Sequence, residues 1–375
     1  MAKKKILILS VSAGAGHVRA AEAIRAYCQE ADVDIEATHF DVMDYVPAGF
    51  RKTYTDFYIT LVNEAPAVWG YLYHATNEAK PDSRAEKVRR GLERLNTMAL
   101  RKAIVDISPD VIICTHFLPA EILSRMIRKE RIQAPVWVQV TDFDLHRMWV
   151  HEHMTGYFVA NDEVAYRLRA YGEGMKRIQV TGIPIMPAFS KSMNREQCTQ
   201  ALELDPAKTT FLLMGGGAGL GGLANVAEHL LMLRDDFQLI VLTGRNTEAL
   251  ESLKVLAERY LHRLVAVGFT STVEQIMACA DVVITKPGGL TSSECLAMGL
   301  PMIINAPIPG QEERNADYLL EHGAALKAFD PMSLAYRVTY LLEHPEKLRD
   351  MRDKARQLGK PFAGKDVIAC VLEQC

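Results

Sequence analysis

The sequence predicts an α/β protein with two similar, doubly wound domains, and three observations indicate this fold class. Short apolar runs alternate with helical patterns along the chain, as in successive strand–helix–strand units. The runs are nearly continuous in apolar residues, which is typical of parallel strands that are covered on both faces. Two successive series each open with a strand, a glycine-rich loop and a helix.

The first series begins with a predicted strand at residues 5–10, a glycine turn, and a helix over residues 17–30. Its further strands are predicted, in chain order, at residues 34–41, 109–115, 135–141, 157–160 and 177–181. The second series begins with a strand at 209–214, a glycine loop at 215–222 and a helix at 223–234. Its further strands are predicted at residues 238–243, 264–267, 282–285 and 301–305.

Two prolines in the extended stretch 183–189 mark the predicted join between the two series. We expect an N-terminal domain at residues 1–186 and a linker at residues 187–204. The C-terminal domain is expected at residues 205–350, and a helix within residues 351–375 is expected to cross back to the N-terminal domain.

Composition excludes several classes of protein. The 375 residues are 49% apolar, and 43 basic against 46 acidic residues give a net charge of −3, which argues against a general nucleic-acid binder. No apolar run reaches 18 residues, and the run after the N-terminal lysines is too short for a signal peptide. The seven cysteines have no metal-ligand spacing. We therefore expect a cytoplasmic globular protein, and the cysteines predict no metal site.

One region departs from the α/β pattern. Residues 49–77 contain seven aromatic side chains, and residues 80–102 contain eight basic against three acidic residues. Such a region could dock on an anionic membrane surface, or it could be a helical excursion that packs on the domain with one solvated face. The residues predicted to contact the membrane are Trp69, Arg84, Lys87, Arg89 and Arg90.

A first candidate site lies between the first strand and the first helix. Gly14 and Gly16 allow the backbone to approach a ligand closely, and the helix N-terminus favours an anion. The dinucleotide-binding fingerprint is excluded because Arg19 stands where its third glycine would be. His17, at the mouth of this turn, is a candidate general base, although it could simply cap its own helix.

A second candidate site is the loop at residues 215–222, which contains six glycines in eight residues. Close approach of the backbone to a ligand explains such a loop inside an α/β unit better than a flexible turn does. A phosphate-binding P-loop is excluded because no Gly-Lys-Ser/Thr sequence follows.

The third and most specific site is the segment 286–294, where a glycine turn follows a strand. Thr291 or Ser292 is predicted to cap the next helix, whose N-terminus would face the carboxyl edge of the sheet. Glu294 is predicted in the first turn of that helix, either as a capping acid or as an acceptor for two ribose hydroxyls.

A fourth candidate site is the loop at residues 307–315, which two prolines and a glycine stiffen. Gln311, Glu312 and Asn315 present polar groups that suit the hydroxyls of a sugar, and the alternative is a solvated helix start.

Seven sequence blocks together resemble the diacylglycerol glycosyltransferases of the monogalactosyldiacylglycerol-synthase type, a group similar to MurG within the GT-B fold. The chain contains the segment TDF-x-x-H-x-x-W at 141–149, which MurG-like proteins lack. The blocks are SAGAGHVRAAEAI at 12–24, VTDFDLHRMW at 140–149, TGIPIMPAF at 181–189, GGGAGLGG at 215–222, TGRN at 243–246, VGFT at 267–270 and the run 284–315.

The resemblance implies two facing Rossmann-like domains with a cleft between them. The C-terminal domain would hold a UDP-sugar and the N-terminal domain would receive the acceptor at the membrane. Glu294 would bind the ribose, and Phe269 would lie against the uracil. Gln311 and Glu312 would read the sugar hydroxyls, and Asn315 would support them. The remaining donor residues implied are Gly215, Gly216, Gly217, Arg245, Gly288, Gly289, Leu290, Thr291 and Ser292.

His17 is the implied base for the acceptor hydroxyl, Asp142 is the rival base, and His146 and Trp149 would shape the acceptor site. A helix dipole and backbone N–H groups would stabilise departing UDP without a metal. We expect an inverting hexose transfer from a UDP-sugar to diacylglycerol or glycosyl-diacylglycerol at the cytoplasmic face of the membrane. The alternatives are a MurG-like transferase with another lipid-linked or small acceptor, and a non-catalytic binding protein. Spacing does not distinguish glucose, galactose and glucuronic acid.

Overall fold

Two six-stranded parallel sheets form the centres of the two domains in the computed structural model of this protein. The structure describes residues 3–51 except 13, 32, 48 and 50, residues 68, 70, 71 and 77, and the ranges 98–172, 177–215 and 222–373. The predicted α/β class with two doubly wound domains is confirmed.

The N-terminal sheet has the strand order β2-β1-β3-β4-β5-β6, and every neighbouring pair in it is parallel. Its strands are β1 (Lys4–Ser10), β2 (Ile35–Asp41), β3 (Val111–Cys114), β4 (Val136–Gln139), β5 (Gly156–Val159) and β6 (Ile178–Val180). All six coincide with strands expected from the sequence, with shifts of one or two residues at their ends.

The C-terminal sheet has the order β12-β11-β10-β7-β8-β9 and is also parallel throughout. Its strands are β7 (Thr209–Met214), β8 (Phe237–Leu242), β9 (Leu264–Val267), β10 (Val282–Thr285), β11 (Met302–Asn305) and β12 (Ala325–Ala328). Sequence reasoning missed β12, because its four residues are not a continuous apolar run and it has a neighbour on only one side.

The described helices cover both faces of each sheet. In the N-terminal half they are α1 (Ala15–Glu30), α2 (Met98–Ile107), α3 (Phe117–Arg128), α4 (Asp162–Ala170) and, after the join, α5 (Arg195–Ala201). The C-terminal helices are α6 (Leu223–Leu231), α7 (Thr247–Arg259), α8 (Val273–Cys279), α9 (Gly289–Ala297), α10 (Gln311–Glu321), α11 (Pro331–Glu343), α12 (Pro345–Leu358) and α13 (Ala363–Leu372).

The residues of β1 show why the strands are apolar without alternation. Leu7 and Leu9 face one apolar cluster, whereas Ile6 and Ile8 face another on the opposite side of the sheet. Side chains of a strand alternate between the two faces of its sheet, so a strand covered on both sides must be apolar at every position. This arrangement produces the continuous apolar runs in the sequence.

Each sheet has a topological switch point, where the strand order reverses. On one side of this point the chain adds strands toward one edge of the sheet, and on the other side it adds strands toward the opposite edge. In the N-terminal sheet this point lies between β1 and β3, and in the C-terminal sheet between β7 and β10. Ligands of open α/β sheets bind at the carboxyl edge beside such points. The loops that follow these four strands contain three of the four candidate sites of the sequence analysis.

The apolar join contributes to the core of the C-terminal domain. Ile183, Ile185 and Phe189 are buried in a cluster that also contains residues of β7, β10 and β11. Phe143 and Ala160 of the N-terminal domain belong to the same cluster. The two domains therefore share buried apolar surface beneath the cleft.

The chain end crosses from one domain to the other after α12. Gly359 lies so close to helix α9 that a Cβ there would overlap the carbonyl oxygen of Leu296. Helix α13 then packs on α1, where its apolar face joins a cluster with β1 and with Tyr27. In the described ranges, no helix combines the length and apolar character needed to span a bilayer.

We predict that Ile368→Ala lowers the free energy of unfolding by about 2–5 kcal/mol, because it leaves a cavity between α13 and the N-terminal sheet. Ile368 is only 4% exposed. Urea denaturation measures this change, and amide hydrogen exchange should show faster opening of β1. The control is Lys365→Ala on the exposed face of the same helix, which should change stability by less than about 0.5 kcal/mol. Equal effects of the two substitutions would contradict a supporting role for α13.

Candidate active site

His17 lies in the first turn of α1, at the carboxyl edge of the N-terminal sheet. The helix is preceded by Gly14, whose φ of 117° is a conformation that favours glycine. The imidazole Nδ1 lies 3.0 Å from the carbonyl oxygen of Thr115 and 2.9 Å from the hydroxyl oxygen of Thr141. Thr115 follows β3, Thr141 follows β4, and His17 itself follows β1. Residues from the ends of three strands therefore meet at one imidazole ring.

These contacts define which nitrogen of His17 can act as a base. A carbonyl oxygen only accepts hydrogen bonds, so Nδ1 carries the proton and donates it to Thr115. Among the described residues, none hydrogen-bonds Nε2. Although part of the residue is exposed, burial of the ring lowers the pKa of His17 to about 4, and the bond to Thr115 offsets part of that fall. At neutral pH the ring is uncharged, with its lone pair on Nε2.

Aromatic rings surround His17 on the side of the N-terminal domain. His116 meets it edge-on with 4.5 Å between ring centroids, and the indole of Trp149 lies at 6.1 Å. Nδ1 of His116 accepts a hydrogen bond from the backbone N–H of Leu118 and caps α3. Burial, with a smaller contribution from His17, holds the pKa of His116 well below its usual value. Both imidazoles are therefore neutral.

Asp142 lies beside this group and is only 5% exposed. Its carboxylate accepts hydrogen bonds from the indole N–H of Trp149, at 3.3 Å, and from the side-chain amide of Gln311. Burial raises the pKa of Asp142 to about 6, against the opposing effect of Gln311, Trp149 and Asn315. The carboxyl group is mostly ionised at pH 7 but gains a proton in mildly acidic solution.

His146 positions Trp149 through a short turn of 3-10 helix. Its Nδ1 accepts a hydrogen bond from the backbone N–H of Met148 and caps the turn Arg147–Trp149. Trp149 is 2% exposed, so its ring is part of the wall beneath the site and not an open platform. Trp149 thus lies beside His17 and Asp142, and His146 caps the turn that holds it there.

Helix α9 of the C-terminal domain begins directly against this part of the N-terminal domain. A Cβ on Gly289 would overlap the carbonyl oxygen of Thr141, and a Cβ on Gly16 would lie 3.9 Å from that of Leu290. Gly288, by contrast, has open space where a side chain would be. The glycines of this turn therefore serve two purposes, a close contact between domains and an unobstructed helix N-terminus.

The expected start of α9 was wrong. The helix begins at Gly289 with Gly288 as its N-cap, and neither Thr291 nor Ser292 caps it. Glycine is a weak helix former, so Gly288 and Gly289 did not indicate a helix start at this position. Glu294 accordingly lies in the second turn and is not a capping acid.

Glu294 is buried, at 8% exposed. Burial raises its pKa to about 7, Arg19 of the N-terminal helix α1 opposes this rise, and Glu274 of α8 adds to it. The hydroxyl of the neighbouring Ser292 is buried without a hydrogen-bond partner among the described residues. A half-ionised carboxyl group and an unpaired hydroxyl thus lie within the first two turns of the helix.

Helix α10 brings the fourth candidate site across the cleft. Gln311 donates to Asp142, and Oδ1 of Asn315 accepts a hydrogen bond of 2.8 Å from the backbone N–H of Phe143. Glu312 instead accepts a 2.6 Å hydrogen bond from the N–H of Ile308 in its own loop. Burial raises the pKa of Glu312, and this bond and Lys286 oppose the rise.

The remaining predicted donor residues lie along the edge of the C-terminal domain. The guanidinium of Arg245 lies over the ring of Phe269, 5.2 Å from its centroid, and this ring is 68% exposed. Gly215 packs against Leu223 at the start of α6. The predicted Gly216, Gly217, Trp69, Arg84, Lys87, Arg89 and Arg90 lie outside the described residues.

Two described residues of the aromatic-rich stretch 49–77 lie near the cleft. Asn77 accepts a 2.9 Å hydrogen bond from the backbone N–H of Arg147, and a Cβ on Gly70 would lie 2.8 Å from Pro309.

In the part of the chain that the structure describes, no group of three or more His, Cys, Asp or Glu side chains could hold a metal ion.

Sequence reasoning missed Thr115, His116 and Thr141, which complete the surroundings of His17. Their positions in the sequence could have indicated all three, because they come soon after β3 and β4, at the carboxyl edge of the sheet where ligands bind. The contact between Thr141 and Gly289 had no such signal, since it joins residues of different domains.

Two family models match the chain, one in each domain. The Monogalactosyldiacylglycerol (MGDG) synthase model matches residues 17–185. The Glycosyltransferase family 28 C-terminal domain model matches residues 210–367. The first match ends within the apolar join, and the second begins in β7.

Full-length relatives and solved structures agree with these matches. The processive diacylglycerol beta-glucosyltransferase of Bacillus licheniformis is 28% identical over 99% of this chain and 95% of its own length. Acinetobacter baumannii MurG superposes with a TM-score of 0.61 at 14% identity, covering 99% of both chains. Anabaena HepE in complex with UDP and glucose superposes with a TM-score of 0.56 at 15% identity, covering 100% of both.

The structural matches show that the two facing domains have the GT-B fold. One family model matches the N-terminal domain and the other matches the C-terminal domain. The B. licheniformis relative aligns with nearly the whole length of this chain. The N-terminal domain therefore belongs to the monogalactosyldiacylglycerol synthase family, and the C-terminal domain is a glycosyltransferase family 28 C-terminal domain.

Proposed function

We propose that this glycosyltransferase moves a hexose from a UDP-sugar to a hydroxyl of diacylglycerol or glycosyl-diacylglycerol, with inversion and without a metal, to make a β-glycolipid. The observation that carries the proposal is the arrangement of His17, whose Nε2 is unprotonated at neutral pH and has no described partner. This base lies across a narrow cleft from the N-terminus of α9. The relatives over the full length of the chain are named diacylglycerol glucosyltransferases, which supports the acceptor.

The diphosphate of the donor would lie at the start of α9. The first N–H groups of a helix have no partner within the helix, and the helix dipole favours negative charge there. Gly288 leaves this end unobstructed. Negative charge develops on UDP as the sugar leaves, so these groups stabilise the transition state more than the bound donor.

The nucleoside and sugar would be held by side chains further along the same edge. Glu294, buried in α9, would accept the two ribose hydroxyls, and exposed Phe269 would lie against the uracil. Gln311 and Glu312 would bind the sugar hydroxyls, and Asn315, which is fully buried, would support them. For Gln311 this requires an exchange of its present partner, Asp142, for the sugar.

The reaction would be a single displacement. Nε2 of His17 takes the proton of the acceptor hydroxyl, whose oxygen then attacks the anomeric carbon of the sugar. The bond from that carbon to the phosphate oxygen breaks, and its electron pair leaves with UDP. Attack from the face opposite the leaving group converts an α-linked donor into a β-glycoside.

Asp142 is the alternative base, since its pKa of about 6 lies closer to neutrality than that of His17. Trp149 engages one of its carboxylate oxygens, and Gln311 engages the other until the sugar binds. His17, whose Nε2 has no partner among the described residues, is the base in this proposal, and Asp142 orders the residues around it.

The function is tested by incubating the protein with diacylglycerol vesicles and UDP-glucose, UDP-galactose or UDP-glucuronic acid in turn. We expect one donor to produce a β-linked glycolipid, detected by mass spectrometry and NMR, with UDP release that requires diacylglycerol. UDP release without any change in the lipids would favour another acceptor, and the absence of both would overturn the proposal.

We predict that His17→Ala lowers kcat by 10²–10⁴-fold, the usual contribution of a general base, with little change in the KM of the donor. His229→Ala, on the exposed face of α6, is the matched control and should retain full turnover. If His17→Ala kept its turnover while Asp142→Asn abolished it, Asp142 would be the base.

The raised pKa of Glu294 predicts pH-dependent donor binding. Below about pH 7 the protonated carboxyl group can no longer accept two hydroxyl hydrogen bonds, so affinity for a UDP-sugar should rise about tenfold from pH 6 to pH 8. The phosphodiester groups of a UDP-sugar do not titrate in this range. Isothermal calorimetry should show this rise in the wild type and in Asp142→Asn but a flat profile in Glu294→Gln. A rise that persists in Glu294→Gln would exclude this residue as its cause.

We further propose peripheral attachment of the enzyme to the cytoplasmic face of an anionic membrane through the region 49–102. Two residues of this region, Gly70 and Asn77, lie against the edges of the cleft, where a lipid acceptor has to arrive. Replacing the four basic residues Arg84, Lys87, Arg89 and Arg90 by Gln should weaken binding to anionic vesicles at least tenfold at low salt, since each contributes about 1 kcal/mol.

Vesicle co-sedimentation measures this binding. The control carries the same change in charge on exposed residues of the C-terminal domain, namely Lys254, Arg259, Arg349 and Lys354 to Gln. Equal losses of vesicle binding in the two variants would show that only the net charge of the protein matters, and they would contradict a specific membrane-binding region.

A further inference from the structure

Three consecutive residues after β4 connect His17 to both helices of the proposed donor site. Thr141 contacts His17 through its hydroxyl and Gly289 of α9 through its carbonyl oxygen. Asp142 accepts from Gln311 of α10. We call residues 141–143 the cleft segment.

Phe143 completes the attachment of the cleft segment to α10. Its backbone N–H donates to Asn315, and its ring stacks on Tyr318 with 5.0 Å between centroids. Gln311, Asn315 and Tyr318 are spaced by four and three residues, so they lie on one face of α10. That whole face is engaged with the N-terminal domain.

The position of Thr141 consequently depends on how the two domains meet. Its carbonyl oxygen has no room to move toward α9, because it is already in contact with the Cα of Gly289. Its hydroxyl, on the same residue, lies 2.9 Å from Nδ1 of His17. The other acceptor for Nδ1, the carbonyl of Thr115, belongs to the N-terminal domain and does not depend on this contact.

We infer that Thr141 is a positioning residue of the transfer reaction: its hydroxyl, held in place by the contact of the cleft segment with α9 and α10, orients His17 with Nε2 toward the cleft when the domains are closed. This inference rests on the proposed function, in which His17 is the base. Thr141 touches the base and not the substrate.

The physical basis is the charge that His17 gains during the reaction. When Nε2 takes the proton of the acceptor, the ring becomes a cation and its Nδ1–H becomes a stronger donor. Thr141 then provides a second acceptor beside the carbonyl of Thr115. The only titratable side chain in ring contact with His17 among the described residues is His116 of α3, which stays neutral.

The inference is tested first with a pair of substitutions at Thr141. Thr141→Val keeps the shape but removes the hydroxyl, and we predict that it lowers kcat about tenfold while the KM of the donor stays the same. The acid limb of the pH–kcat profile should move to lower pH, because the protonated ring has lost an acceptor. Thr141→Ser keeps the hydroxyl and should restore most of the turnover.

The matched control is Thr181→Val, which removes another buried hydroxyl of the N-terminal domain, one that donates to the carbonyl of Gly182. Thermal denaturation should show similar losses of stability for the two valine variants, whereas only Thr141→Val should lose turnover. Equal kcat values for Thr141→Val and the wild type, or failure of Thr141→Ser to recover, would overturn the inference.

The dependence on domain contact is tested with Gly289→Ala. The added Cβ overlaps the carbonyl oxygen of Thr141 and must push α9 away from the cleft segment. At saturating donor we expect Thr141→Val to have little further effect on kcat in this background. A full tenfold loss there would show that Thr141 acts independently of the contact between the domains.

A measurement without turnover separates this inference from the proposed function. Two-bond ¹H–¹⁵N correlation spectra of histidine-labelled protein should show the Nδ1–H tautomer for His17 and a lower pKa of His17 in Thr141→Val. If these hold but no glycolipid forms, the proposed function fails and the positioning role stands. If glycolipid forms but the spectrum of His17 is the same in both proteins, the positioning role fails.

Discussion

The contact between the Cα of Gly289 and the carbonyl oxygen of Thr141 is the constraint on which the arrangement of the cleft depends. Because no side chain fits between them, the start of α9 and the end of β4 meet at backbone distance. This places Asp142 opposite Gln311 and Phe143 opposite Asn315, and it brings Leu290 onto Gly16. Any larger residue at position 289 would separate the two halves of the proposed site.

Three ionisable groups beside the cleft are buried, and burial favours their neutral forms. Burial lowers the pKa of His17 to about 4 and raises those of Asp142 and Glu294 to about 6 and 7. For the two carboxyl groups, folding then favours protonation, so their contribution to stability is present in acid and is lost as pH rises through these values. Residues suited to bind and activate substrates thus make the empty site less stable at neutral and higher pH.

Sequence patterns indicated candidate residues near strand ends, but they did not indicate the contacts between the domains. His17 was singled out at the glycine turn after β1, and Asp142 through the family resemblance and its place after β4. Both lie at the carboxyl edge of the N-terminal sheet. The early start of α9 was missed because glycine is a weak helix former and the helix begins at Gly289, the residue that Thr141 contacts. The hydrogen bond between Asp142 and Gln311 joins residues 169 positions apart, and no local pattern predicts it.

The face of α10 that contacts the cleft segment carries Gln311, which is proposed to read the sugar, and Asn315, which is proposed to support it. Gln311 cannot keep its hydrogen bond to Asp142 and also bind a sugar hydroxyl with the same N–H, so entry of the donor must rearrange this contact. Asn315 and Tyr318 hold Phe143 independently of that bond. The cleft segment can therefore stay on α10 while Gln311 changes partner, and the arrangement of Thr141 beside His17 survives the step that loads the sugar.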